Sequence, residues 1–91
     1  MKYTDIDIYN AKNYMNEYRI LLDDYNLHVG WLGRIFNKLF GTNTHNNIQE
    51  YLRHEYNLDH SDAVDILYST DNKEYIFDPL NVFTDMKIKT N

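Results

Sequence analysis

The chain has 91 residues, of which 43% are hydrophobic, and its 14 acidic and nine basic residues give a net charge of −5. This length predicts a single domain over residues 1–91, and the hydrophobic content is too high for a disordered tail. A negative net charge disfavours direct binding to nucleic acid, because phosphates are bound by clustered Lys and Arg. Without cysteine, no disulfide can brace the fold.

The sequence predicts a cytoplasmic protein without a membrane span. Residues 1–8 are polar and acidic and lack the apolar central run of a signal peptide. No apolar run approaches the length of a transmembrane helix. The many Asn, Ile, Lys and Tyr residues have AT-rich codons, which favours an origin in a bacterial or phage genome.

The stretch from Thr4 to Asn26 has the clearest helical pattern. Its apolar residues recur at alternating steps of three and four, which places them on one side of an α-helix. They are Ile8, Ala11, Met15, Tyr18, Leu22 and Tyr25. Thr4 can cap the helix, and Asp5 and Asp7 suit its positive first turn. We expect this helix to form one wall of the core and to end in a turn at residues 27–29.

Two further helices are predicted in the middle of the chain. The second covers residues 29–40, and Gly41 favours its end because glycine readily adopts the left-handed conformation. The third starts near Thr44 or His45 and ends near Asn57, since Asn also tolerates that conformation. Its predicted inner residues are Ile48, Tyr51, Leu52 and Tyr56.

After the third helix, the spacing of the apolar residues changes from the helical period to simple alternation. In residues 64–69, β-branched and aromatic side chains alternate with other residues, and residues 70–73 have the composition of a turn. Residues 75–77 then complete a predicted β-hairpin. Residues 85–89 alternate apolar and charged side chains, which predicts a third strand at a sheet edge.

The predicted fold class is therefore α+β, with three N-terminal helices packed on a small C-terminal antiparallel β-sheet. A wholly helical bundle is the alternative. It gains support because residues 61–67 also fit a short capped helix. Asp78-Pro79 could open another helix, since proline suits the first helical position.

No catalytic or metal-binding motif is recognisable. His45, His54 and His60 lie near several aspartates in the sequence, but Leu58 stands where a His-Glu-x-x-His motif needs its second histidine. No Ser or Thr stands in a nucleophile motif. We therefore predict a protein that is not an enzyme, with no catalytic residues, metal or cofactor.

The C-terminal third is the acidic end, because residues 58–91 hold seven acids and three bases. Carboxylates spaced over a rigid scaffold can imitate the phosphates of a nucleic acid and occupy a basic surface of another protein. An ordinary solvated surface is the plainer interpretation. The predicted partner-binding residues are Asp59, Asp62, Asp65, Asp71, Glu74, Tyr75 and Asp78.

These features predict a small acidic protein-interaction module. The most specific hypothesis is an inhibitor encoded by a phage or mobile element, which occludes a basic, nucleic-acid-binding surface of a bacterial host or defence protein. An alternative binding face combines Trp31, Arg34 and Lys38, and it would suit nucleic acid or a membrane surface. A third hypothesis is a self-associating structural or regulatory subunit, a homodimer paired through its first helix.

Overall fold

The computed structural model describes the backbone of residues 3–40 and 44–90, and the side chains of residues 3–24 and 46–86. Its elements are α1 (Asp5–Phe40), α2 (Thr44–Tyr56), α3 (His60–Ser69), a 3₁₀ turn (Lys73–Tyr75) and α4 (Val82–Thr90). The described backbone contains no β-strand. The predicted α+β fold is therefore wrong, and the alternative of a wholly helical bundle fits the structure.

α1 is one helix of 36 residues, roughly 54 Å long at 1.5 Å per residue. It joins the two helices predicted over residues 4–26 and 29–40, so the predicted turn at residues 27–29 is wrong. Glycine in a helix costs about 1 kcal/mol relative to alanine, and Gly30 and Gly33 do not interrupt α1. In the part of the chain that the structure describes, no helix is long and apolar enough to cross a membrane.

A capping box closes the N-terminus of α1. The backbone N–H of Asp7 donates to Thr4 Oγ1 at 3.2 Å, and the backbone N–H of Thr4 donates to Asp7 Oδ2 at 3.0 Å. These reciprocal bonds satisfy two backbone donors near the helix start. The predicted cap at Thr4 is therefore confirmed, with Asp7 as its reciprocal partner.

The core lies between the inner side of α1 and the two helices that follow. On α1, Ala11, Tyr14, Met15 and Tyr18 are at most 1% exposed. The other buried apolar residues are Ile48, Leu52, Ala63, Val64, Ile66 and Leu67. Of the inner residues predicted for α2, Ile48 and Leu52 are buried and Tyr56 is partly buried, but Tyr51 is 54% exposed.

α2 and α3 both run back along α1. In α2, Gln49 Nε2 donates to the Tyr18 hydroxyl at 3.4 Å, whereas Tyr56 lies beside Tyr14 with ring centroids 6.4 Å apart. α2 ends where predicted, and Asn57 adopts a positive φ of 54°. Tyr56, at the end of α2, thus lies beside Tyr14, which precedes Tyr18 in α1. α2 is therefore antiparallel to α1, as in a bundle with short connections.

α3 occupies the sequence that was predicted as the first strand of the hairpin. Its buried residues His60, Ala63, Val64 and Leu67 have helical spacing. The first turn closes where the backbone N–H of Ala63 donates to the carbonyl of Asp59 at 2.9 Å. The strand prediction at residues 64–69 is wrong, and the competing prediction of a short helix is confirmed.

The remaining chain returns to α1 without a sheet. Residues 70–71 form a turn, and Asp71 there has a φ of 59°, a conformation that Asp tolerates better than most residues. The 3₁₀ turn and α4 stand where the second and third strands were predicted, at residues 75–77 and 85–89, so both predictions are wrong. Phe77 packs against Tyr18, with ring centroids 5.4 Å apart.

Candidate functional site

The seven predicted partner-binding residues are spread over α3 and the segment that follows it. Five of them are exposed: Asp59, Asp62, Asp71, Glu74 and Tyr75. Asp65 is partly buried, and the Asp78 side chain is only 6% exposed. The exposed acidic surface is therefore smaller than predicted, because Asp65 and Asp78 contribute little to it.

Asp78 has its carboxylate turned into the fold. Its Oδ2 accepts hydrogen bonds from the backbone N–H groups of Phe83 and Thr84, both at 2.9 Å, and from the Thr84 hydroxyl at 3.1 Å. These bonds cap the N-terminus of α4, where backbone donors lack helical acceptors and the helix dipole favours an anion. Its Oδ1 lies 3.8 Å from His60 Nε2. Asp78 thus fixes the start of α4 against the start of α3.

His60 opens α3 and has a side chain that is only 1% exposed. Its ring lies among the rings of Tyr14 at 5.6 Å, Tyr18 at 4.9 Å and Phe83 at 4.9 Å between centroids. The 3.8 Å separation from Asp78 is longer than a hydrogen bond and falls within ion-pair range for a protonated ring. Burial raises the pKa of both tyrosines. These contacts make His60 a packing residue that joins α1, α3 and α4.

A group of carboxylates forms where the N-terminus of α1 meets α3. The Tyr3 hydroxyl donates a hydrogen bond to Asp65 Oδ2. That bond, together with desolvation and the negative charges of Asp65, Asp62 and Asp7, raises the pKa of Tyr3 to about 12. Asp65 therefore contacts the phenol of Tyr3, and Asp62 and Asp7 are close enough to act on it electrostatically. We call Asp7, Asp62 and Asp65 the carboxylate cluster.

A groove with a volume of about 500 Å³ opens beside the carboxylate of Asp59, between α2 and the start of α3. Arg53 on its wall is hydrogen-bonded to Glu50, and its Nε lies 3.8 Å from Asp59 Oδ1. The bond to Arg53 lowers the pKa of Glu50. One guanidinium is thus shared between two carboxylates, so these three side chains carry a net negative charge.

Three cations lie over aromatic rings around the 3₁₀ turn. The pairs are Lys12 with Tyr75 at 4.3 Å, Lys73 with Tyr68 at 5.1 Å, and Arg19 with Phe77 at 5.8 Å from the ring centroid. Contacts of this kind are worth about 0.5–1 kcal/mol at exposed sites. Tyr75 therefore has a cation on one face of its ring. Lys12 therefore offsets part of the negative charge that the sequence predicted for the surface around Tyr75.

The positions of the histidines bear on metal binding and nucleophilic catalysis. Among them, no group of three or more His, Asp or Glu residues is placed to hold a metal ion. His54 is exposed and lies 3.7 Å from Glu50, and the side chain of His45 is outside the described residues. Ser61 follows His60 on a helix, so the two side chains diverge by about 100°. They do not line up with Asp78 as a catalytic triad does.

The alternative binding face falls outside the described side chains. Trp31, Arg34 and Lys38 all lie in the second half of α1, where the backbone is helical. Residues three and four apart on a helix share a side, so the backbone is compatible with a common face. The contacts and exposure of these three side chains are not part of the described structure.

Two features of the site escaped sequence reasoning. Tyr3 and Asp65 are 62 residues apart, and nothing local to either one indicates their hydrogen bond. The capping role of Asp78 had a partial signal in the sequence. Asp78-Pro79 comes shortly before Thr84, whose hydroxyl can also donate to the Asp78 carboxylate. The sequence pattern indicated that Asp78-Pro79 could open a helix, but it did not indicate that Asp78 would bond to Phe83 and Thr84.

Comparison with known proteins does not add a family. The chain matches no protein-family model, no curated protein and no solved structure. Its function is therefore inferred from the placement of its own charged and apolar side chains.

Proposed function

We propose that this protein is a small acidic interaction module, without catalytic activity of its own, that docks on a basic surface of another protein. The carboxylate cluster carries the proposal. Asp65 is hydrogen-bonded to Tyr3, and Asp62 and Asp7 act electrostatically on the same phenol, so the three carboxylates add negative charge to one region of the fold. A concentrated negative field steers a basic partner and favours its docking in one orientation.

The cluster is also held in place before a partner arrives. Asp7 is fixed by the capping box with Thr4, and Asp65 is fixed by the hydrogen bond from Tyr3. Asp62 stands exposed on the first turn of α3. Because ordering a side chain on binding costs about 0.5–1.5 kcal/mol, two fixed carboxylates reduce the entropy lost on docking.

In its most specific form, the partner is a bacterial nucleic-acid-processing or defence protein. The module, encoded by a phage or mobile element, would then occupy the basic groove of that protein and exclude nucleic acid from it. Small size, negative charge and the two carboxylates held in place by Tyr3 and Thr4 support this form. The mechanism is steric and electrostatic occlusion.

The test is capture of a partner from bacterial lysate on immobilised protein, at about 0.05 M and about 0.5 M salt, since salt screens exposed charges. We expect a partner that is retained at low salt and released at high salt. Asp62→Asn should weaken its retention about threefold to tenfold, because it removes an exposed charge at the interface. Asp23→Asn is the matched control, since Asp23 is an exposed aspartate beyond the cluster on α1.

Two results would contradict the proposal. One is the absence of any protein retained at low salt. The other is equal retention by the Asp62→Asn and Asp23→Asn variants, which would show that total charge matters and the carboxylate cluster does not.

A further inference from the structure

The helices α3 and α4 begin beside the same buried ring. His60 is the first residue of α3, and it contacts the uncharged Phe83 in the first turn of α4, with ring centroids 4.9 Å apart. The Asp78 carboxylate joins the two helices, since its Oδ1 lies 3.8 Å from His60 Nε2. Its Oδ2 accepts the backbone N–H groups of Phe83 and Thr84. We call His60, Asp78, Phe83 and Thr84 the helix joint.

Two positive helix ends offset the charge of Asp78 at the helix joint. The N-terminus of a helix carries about half of an elementary positive charge, and α3 and α4 both begin there. Among the described contacts, the Asp59 side chain makes no hydrogen bond that caps the start of α3. The two ends therefore nearly balance the single negative charge of Asp78, and a protonated His60 ring would gain little net attraction.

The other titratable side chains near the ring do not reverse this balance. From α1, Tyr14 and Tyr18 have their pKa raised by burial, so both stay neutral in acid. Around the groove, Arg53 is shared between Glu50 and Asp59. These three side chains are 48%, 60% and 58% exposed, so solvent screens their effect on a buried ring.

Burial then decides the charge of the His60 ring. Its side chain is 1% exposed and lies among the rings of Tyr14, Tyr18 and Phe83. Full burial opposes the charged form of a histidine by up to about 3–5 pH units, whereas one opposite charge favours it by about 1–3. The 3.8 Å between Nε2 and Oδ1 is also longer than the hydrogen bond that a buried charged pair needs. The closed helix joint therefore favours the neutral imidazole.

We propose that the helix joint is an acid-sensitive latch, which holds the start of α4 against α3 while His60 is neutral and opens more often once the pH falls below about 6.5. Opening exposes the ring, which then takes up a proton that the closed joint excludes. The closed form is therefore fully favoured above this pH and loses stability below it. Among the described side chains, the buried apolar core lies on α1, α2 and α3, so α4 can open while the core stays folded.

Amide hydrogen exchange at about pH 7.5 and about pH 5.5 tests the latch, because histidine is the side chain whose charge ordinarily changes between these values. Protection factors correct for the effect of pH on the intrinsic exchange rate. We expect those of the Phe83 and Thr84 amides to fall about tenfold at the lower pH, since the open form gains one proton. The protection of Met15, in the core on α1, should stay constant.

Two variants show which histidine is responsible. In His60→Gln the acid-induced loss of protection at Phe83 and Thr84 should disappear, because glutamine does not titrate. His54→Gln is the matched control, since the His54 side chain is 75% exposed, and it should keep the tenfold loss. Equal protection of the wild type at both pH values would overturn the proposal. So would an equal loss in the two variants, or a loss at Met15 as large as that at Phe83.

NMR of the histidine rings in the wild-type protein tests the charge directly and needs no variant to fold. Between about pH 7.5 and about pH 5.5, the ring signals of the exposed His54 should move as it takes up a proton. The ring signals of His60 should stay those of a neutral imidazole. A His60 ring that is protonated at the higher pH would contradict the latch, because Asp78 would then outweigh burial.

Discussion

The inner and outer sides of α1 differ although they belong to the same helix. On the inner side, Met15 and Tyr18 are 1% exposed and lie within the core. On the outer side, Ile6 and Ile20 are more than half exposed, at 70% and 53%. A helix of a small bundle needs only one apolar stripe, about 100° wide, to build its fold. The exposed stripe is therefore not needed to build the core.

The largest expected effect compares one residue from each side. Met15→Ala should lower the free energy of unfolding by about 2–5 kcal/mol, because it leaves a cavity in the core. Ile20→Ala should change it by no more than about 0.5 kcal/mol, because Ile20 is 53% exposed. Urea denaturation of dilute protein measures both. A loss for Ile20→Ala equal to that for Met15→Ala would mean that the outer side also belongs to the core.

The next effect compares two aspartates of the acidic third. Asp78→Ala should lower the free energy of unfolding by about 1–3 kcal/mol, because it removes the cap of α4 and leaves two partly buried backbone donors without their acceptor. Asp62→Ala, on the exposed first turn of α3, should cost no more than about 0.5 kcal/mol. Urea denaturation of the two variants measures both losses. Equal losses would contradict the distinction between a structural and a surface carboxylate.

The smallest effect concerns alkaline pH. The pKa of Tyr3 is raised from 10.0 to about 12 by its hydrogen bond to Asp65, so the fold favours the neutral phenol. The stabilisation is present below pH 10 and is lost as the pH rises through 12. Tyr3→Phe should therefore lose less stability over this range than the wild type, as measured by urea denaturation. The control is Tyr51→Phe, at an exposed tyrosine, which should lose as much stability as the wild type. A loss in Tyr51→Phe as small as that in Tyr3→Phe would contradict this explanation.

The sequence predicted the helices whose boundaries are set locally. Thr4 and Asp7 form a capping box through neighbouring residues, and α2 ends at an Asn that adopts the left-handed conformation. Signals of this kind lie within a few residues of the boundary. The turn predicted at residues 27–29 had no such signal, and the helix continues through it.

The C-terminal third was mispredicted because its side chains fit two periods. Val64 and Ile66 alternate as in a strand, yet Val64 with His60 and Leu67 also fits a helix. The packing of His60 against Tyr14 and Tyr18 favours the helix, and that contact joins residues more than 40 positions apart. The sequence indicated Asp62 and Asp65 as binding residues, but it could not place Asp7 and Tyr3 beside them, because tertiary contacts decide which side chains come together.

Methyl NMR with a soluble paramagnetic probe tests most directly whether the two sides of α1 differ as the structure shows. The side-chain methyl signals of Ile6 and Ile20 should broaden as the probe is added, whereas those of Ala11 and Met15 should stay sharp because the core excludes the probe. Sharp signals at Ile6 and Ile20, or broadening confined to Ala11 and Met15, would contradict the assignment of the inner side to the core.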